Sequence, residues 1–204
     1  MALVKYNNNS LSAITAVAGL ANGAMTLIKS QTASSSSTVD FVDGTSDVVL
    51  DSTYPIYVFK FINVHPANDQ VDFQVNFRDG GSSYDATKTT TMFKAYANEG
   101  DSDTHLGYDT NRDLAQGTGF QDITEQQDND NDSSASGTLH LFNPSSTTFV
   151  KHFITDSSMV RDGAKLYATK NAGYGNTTSA VDAIRFQMSS GNIDAGDICL
   201  YGIA

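Results

Sequence analysis

Three aspartates give this chain its clearest opportunity for chemistry. In Asp128-Asn129-Asp130-Asn131-Asp132 the carboxylates alternate. Alternate carboxylates in a turn converge on one hard cation, as at the start of a calcium loop. The likeness ends there. The sixth position is Ser133, where the tight turn needs glycine, and the twelfth is Leu139, where a bidentate glutamate belongs. Asp128, Asp130 and Asp132 are therefore weak metal candidates, set against a solvated acidic loop. Four histidines occur, His65, His105, His140 and His152, and none has another histidine or the single cysteine at metal-ligand spacing. His140 and His152 flank a hairpin expected at Pro144 and are placed to face each other across it.

Nucleophilic and phosphate-binding chemistry finds no motif. The nucleophile elbow G-x-S-x-G and the Walker and dinucleotide-binding glycine patterns are missing from the sequence. A glycosidase needs two carboxylates across a cleft, and aspartates are so plentiful here that spacing alone selects no pair. The sequence thus reads as a non-enzymatic chain with no catalytic residue and no cofactor. Tyr84, Tyr96, Tyr108, Tyr167 and Tyr174 fall near expected loops, where tyrosines stack on sugars or line subunit interfaces.

Charge narrows the partners. Lys and Arg number 12 against 23 Asp and Glu, a net charge of −11. Phosphate recognition needs clustered basic residues, so nucleic acid is excluded as a partner. An acidic surface also repels anionic membranes, and no apolar run is long enough to span one. The N-terminal stretch is a poor export signal, with one lysine followed by three asparagines and an apolar part broken at Thr15 and Gly19. Synthesis in a cytoplasm is expected. Cys199 stands alone, so an intrachain disulfide is ruled out and a small packed residue in the last strand is expected.

The elements behind these residues are strands. Tyr57 to Val64 alternates Tyr57, Phe59 and Phe61 against Val58, Ile62 and Val64, interrupted by Lys60. Both faces call for cover, which predicts a central strand. Val71, Phe73, Val75 and Phe77 alternate with Asp72, Gln74, Asn76 and Arg78, a half-buried strand with a wet outer face. Further strands are expected at 25–28, 39–41, 89–97, 138–142, 148–154, 165–169, 183–188 and 198–203, with a polar connector at 34–37 and a loop at 173–176. Residues 98–136 are dominated by Asn, Asp, Gln, Gly and Ser. They read as a functional or partner-facing loop insertion, with room for a short helix near Leu114. Ten or so strands separated by turn signals, without βαβ alternation, predict an all-β, antiparallel, jelly-roll-like β-sandwich over 25–204. Residues 1–24 form an N-terminal docking arm. Leu3, Val4, Tyr6, Leu11, Ile14, Val17 and Leu20 are its candidate attachment residues, the last four at a helical spacing weakened by Thr, Val and Gly.

Five phrases taken together resemble a family of small β-rich virion structural proteins of marine tailed phages. They are LIKSQTASSSSTVDFVDG (27–44), YVFKFINVHPANDQVDFQ (57–74), LHLFNPSSTTFVKHF (139–153), GYGNTTSAVDAIRFQMSSGNIDAG (173–196) and CLYGI (199–203). The resemblance implies a particle component with a jelly-roll-like body, and it carries no active residue. The leading expectation is a capsid decoration or cement protein on the virion surface, made in the host cytoplasm and fastened through the arm to major capsid or tail proteins. The alternative is a tail-fibre or tail-tip adhesin whose loops at 98–136 and 172–178 touch a host surface glycan or protein. Closed homo-oligomers are the general expectation for such modules, and a trimer is favoured by analogy. A secreted carbohydrate-binding or glycan-hydrolysing sandwich is the third reading, and the poor export signal weighs against it.

Overall fold

The computed structural model describes residues 25–161 and 164–204. The arm, with Leu3, Val4, Tyr6, Leu11, Ile14, Val17 and Leu20, lies outside the described residues. Twelve strands run through them: β1 (Thr26–Ser36), β2 (Val39–Val42), β3 (Ile56–Pro66), β4 (Phe73–Arg78), β5 (Lys88–Asn98), β6 (Thr104–Tyr108), β7 (Gln121–Asp122), β8 (Ala135–Phe142), β9 (Lys151–Arg161), β10 (Lys165–Gly175), β11 (Ala183–Met188) and β12 (Ile193–Ile203). Every pairing between them is antiparallel. No helix occurs among the described residues. Near Leu114, where a helix was expected, the backbone instead borders β5: Thr90 donates to the Leu114 carbonyl, and Lys88 and Gly117 exchange two bonds.

The strands form two sheets. One has eight strands in the order β1-β12-β3-β8-β9-β10-β5-β6, the other four in the order β2-β11-β4-β7. The chain is an all-β antiparallel sandwich. The pairs β1–β12, β2–β11, β3–β8 and β4–β7 nest within one another along the sequence. The hairpins β5–β6 and β9–β10 interrupt this nest, and both extend the larger sheet.

Period-two alternation drives the packing. Inward phenylalanines from both sheets meet between them, with the Phe186 ring centroid 5.5 Å from Phe59, 5.3 Å from Phe61 and 5.7 Å from Phe73. β3 is interior to the large sheet, between β12 and β8. Its second face is unevenly covered, with Val58 buried and Ile62 exposed. Val64 joins the core rather than the outer face, because a bulge between Phe61 and Val64 resets the alternation. Gly196 of β12 fits this bulge. Its φ is +120°, and a Cβ there would lie 2.7 Å from the Asn63 carbonyl oxygen.

Several strands run further than their composition announced. The polar connector at 34–37 is strand to Ser36, and β10 continues through Gly173 and Gly175 where a loop was expected. A Cβ at Gly173 would stand 2.4 Å from Phe153 Cζ, so the missing side chain makes room for that ring. β9 begins at Lys151, and the connection from β8 is an eight-residue span rather than a tight hairpin.

Candidate functional site

Moving across the large sheet, the inner face changes character at β9. From β12 to β8 the buried inward residues are apolar, among them Phe59, Phe61, Leu139 and Leu141. Beyond it, Thr155 and Ser157 of β9, Thr169 and Asn171 of β10, and Lys88 and Thr90 of β5 are all buried. Buried polar groups persist only with partners. The supposed insertion provides them. The Ile123 carbonyl accepts from Ser157 Oγ at 3.0 Å and Thr169 Oγ1 at 2.6 Å. Gln121 Oε1 accepts from Thr90 Oγ1 at 2.6 Å, and the Asp122 carbonyl accepts from Asn171 Nδ2 at 2.9 Å. Residues 109–128 therefore cover the polar part of the inner face, and the paired residues Gln121–Asp122 within them add a strand to the second sheet.

An ion network fastens this cover at its rim, around a cleft of about 430 Å³. Lys94 of β5 reaches Asp109 at 2.9 Å and Glu125 at 2.6 Å. Arg112 Nη1 lies 2.7 Å from both Asp72 and Asp122, and Arg161 lies 3.1 Å from Glu125. Burial pushes the Asp109 carboxyl up, but bonds from Lys94 and the Asn111 amide, with the charges of Lys94 and Arg112, more than reverse this, leaving it below the usual range. Asp122 goes the other way. Burial and the neighbouring charge of Asp72 raise it, against the pull of Gln74 and Arg112.

Since one nitrogen touches both, the Asp72 and Asp122 oxygens stand within twice 2.7 Å of each other. Retaining glycosidases also hold two carboxyl groups close together across their cleft. Here Arg112 sits between the two, and each of the four acids is bound to a cation. A general acid must be free to give its proton to a substrate. With every acid held by a cation, the network ties the cover to the large sheet.

The sequence candidates are scattered. Asp128 is buried, whereas Asp130 and Asp132 are exposed. Among the described residues no group of three or more His, Cys, Asp or Glu side chains is placed to hold a metal ion. His65 Nε2 contacts the Asp130 carbonyl at 3.1 Å. His140 is opposite Ile154 rather than His152, and His152 is opposite Tyr174. Cys199 is buried in β12 with its sulfur 3.3 Å from Ser30 Oγ. Tyr96 and Tyr167 belong to strands, not loops, and stack with centroids 4.9 Å apart. Tyr84 lies under the Arg185 guanidinium at 4.2 Å.

The outer face of the large sheet carries what the sequence did not single out. Phe93 of β5, Tyr108 and Leu106 of β6, and Leu166 of β10 are exposed, Leu106 by 79% and Leu166 by 54%. Leu106 is opposite Ala95 and Leu166 opposite Ala97, small residues that leave the large ones standing proud. β6 is also the edge of the sheet. Asp109 N donates to the Met92 carbonyl and Asn98 N to the Asp103 carbonyl. Antiparallel bonding alternates, so the backbone groups of Thr104, Leu106 and Tyr108 point away from β5. Comparison with protein-family models, curated proteins and solved structures finds no match for this chain.

Proposed function

We propose that this chain is a non-enzymatic structural protein of a phage particle, most simply a capsid decoration or cement protein that assembles as a homo-oligomer on the virion surface. The observation carrying this reading is the apolar outer face at β5, β6 and β10, joined to a sheet edge that no described strand pairs. Exposed apolar patches and open edges are liabilities in a free monomer and mark surfaces that a partner covers. The nested strand pairing supports a jelly-roll body, since one long ribbon wound on itself gives two interlocked Greek keys. The ion network supports a passive role, because its acids are committed to cations. Residues 1–24 serve as the attachment to major capsid or tail proteins.

The tail-fibre alternative drew on loops at 98–136 and 172–178, and the fold uses much of both in its own layers. Counting copies of the chain in purified particles tests the proposal. A copy number comparable to that of the major capsid protein is expected, and a handful per particle, or none, overturns decoration.

A further inference from the structure

A lysine amine and an asparagine carboxamide meet in the interior with no carboxylate between them. Lys88 opens β5 in the large sheet, and Asn76 lies in β4 of the small one. They are 0% and 1% exposed. Lys88 Nζ is 2.6 Å from Asn76 Oδ1 and 3.0 Å from the Ala86 carbonyl. Ion pairing is the ordinary fate of a buried lysine, and this amine instead has two neutral oxygens.

We propose that Lys88 and Asn76 join in an intramolecular amide cross-link, Nζ to Cγ, tying one sheet of the sandwich covalently to the other. The lone pair of the neutral amine attacks Cγ, one bond beyond the oxygen it already touches. The Cγ–Nδ2 bond breaks. Nδ2 leaves as ammonia, carrying away a proton from the attacking nitrogen, and a second proton is released if the amine began charged. Nothing is oxidised or reduced, and no co-reactant enters.

Three features of the site favour this step. The Phe77 amide donates to Asn76 Oδ1 at 2.9 Å, a fixed donor aimed at the oxygen on which negative charge develops. Asn76 Nδ2 is held by the Thr118 carbonyl at 3.0 Å, so the carboxamide is fixed in place against the amine. Burial lowers the Lys88 amine to about 8, against the opposing pull of Asp85 and Asp79, which makes the neutral nucleophile accessible near neutral pH. Lys151, on the same inward rung across Gly175, is also lowered by burial, opposed by Asp79. Among the described residues no carboxylate bonds the pair, so the step is a slow single turnover that quickens as the amine deprotonates.

Intact-mass spectrometry of the full chain decides it. The chain is expected to weigh about 17 Da less than its sequence, the mass of ammonia, while Lys88→Met has its full sequence mass. Trypsin cuts after Lys60, Arg78 and Lys94, so the cross-link leaves segment 61–78 joined to 79–94 with cleavage after Lys88 blocked. That branched peptide comes from the unmutated chain and does not depend on whether Lys88→Met folds. The full sequence mass after long incubation above about pH 8 overturns the proposal. So does the same mass loss with linear peptides only, which is a succinimide at Asn76.

Discussion

Phe186 shows how much of the sandwich rests on single rings. Four phenylalanines surround it, Phe41, Phe59, Phe61 and Phe73, from three other strands of the two sheets. Truncating a buried ring removes its transfer free energy and leaves a cavity the neighbours fill only partly. Phe186→Ala is expected to lower stability by about 3–5 kcal/mol, read as a shift in urea midpoint at unchanged slope. A loss below about 1 kcal/mol means the five rings do not act as one core. These inward residues were legible because alternation of large apolar and polar side chains is itself the signal of a half-buried strand. Lys88, Asn76 and Lys151 were not. A lysine or asparagine on the inner face has the same letter as one in water, and Asn76 was read as part of a wet face. Gly173 misled for a similar reason: glycine marks turns, and here it marks a close approach by Phe153.

Among the elements, the cover at 109–128 departs furthest from the sequence reading. Its composition is that of a solvated loop, yet Gln121, Ile123, Thr124 and Gln127 are fully buried. Composition reports how many polar groups a segment has, not whether a sheet is waiting to bond them. Deleting residues 112–134 therefore exposes the inner face of β9, β10 and β5 instead of trimming a binding loop, and loss of folding is expected. A gentler test removes Arg112 alone, which leaves Asp72 and Asp122 facing each other without their shared cation. Arg112→Ala is expected to cost up to about 3 kcal/mol, the lower end of the range for breaking a buried ion pair on one side, since Arg112, Asp72 and Asp122 are only partly buried. Hydrogen exchange should rise first at 88–92 and 121–127. Exchange unchanged there argues that the cover is held by its neutral bonds only.

The two acids of the same network should respond to pH in opposite directions. Asp109 is lowered in the folded chain. Its stabilisation is full above the ordinary carboxylate value and is lost as pH falls through the lowered one. Asp122 is raised. The folded chain holds that proton more tightly, so its contribution is full below the ordinary value and is lost as pH rises through the raised one. Asp109→Asn should thus weaken the protein at neutral pH, whereas Asp122→Asn should cost little there and more in acid. Denaturation midpoints of both variants from acid to neutral pH check this, and identical profiles count against the assignment.

At the scale of the whole molecule, two properties pull against each other. The net charge of −11 makes copies repel, while the β5, β6 and β10 face offers Phe93, Leu106, Tyr108 and Leu166 to a partner. Neither the face nor the edge was legible. Both depend on β6 ending a sheet, and strand order is set by pairings between distant segments that no local window contains. If the face joins copies, apolar burial must exceed the repulsion over an interface of about 800 Å² per partner. Association should then tighten as salt screens the repulsion, since burial itself is not weakened by screening. The chain mass is 21.8 kDa. Light scattering is expected to report a closed oligomer near three times that value, and Leu106→Lys with Leu166→Lys should return it to the monomer without changing the unfolding midpoint by more than about 0.5 kcal/mol, because both side chains are exposed. An oligomer that persists in the double variant places the interface elsewhere. A chain that stays monomeric at high salt and high concentration removes the apolar face as the observation on which assembly rests.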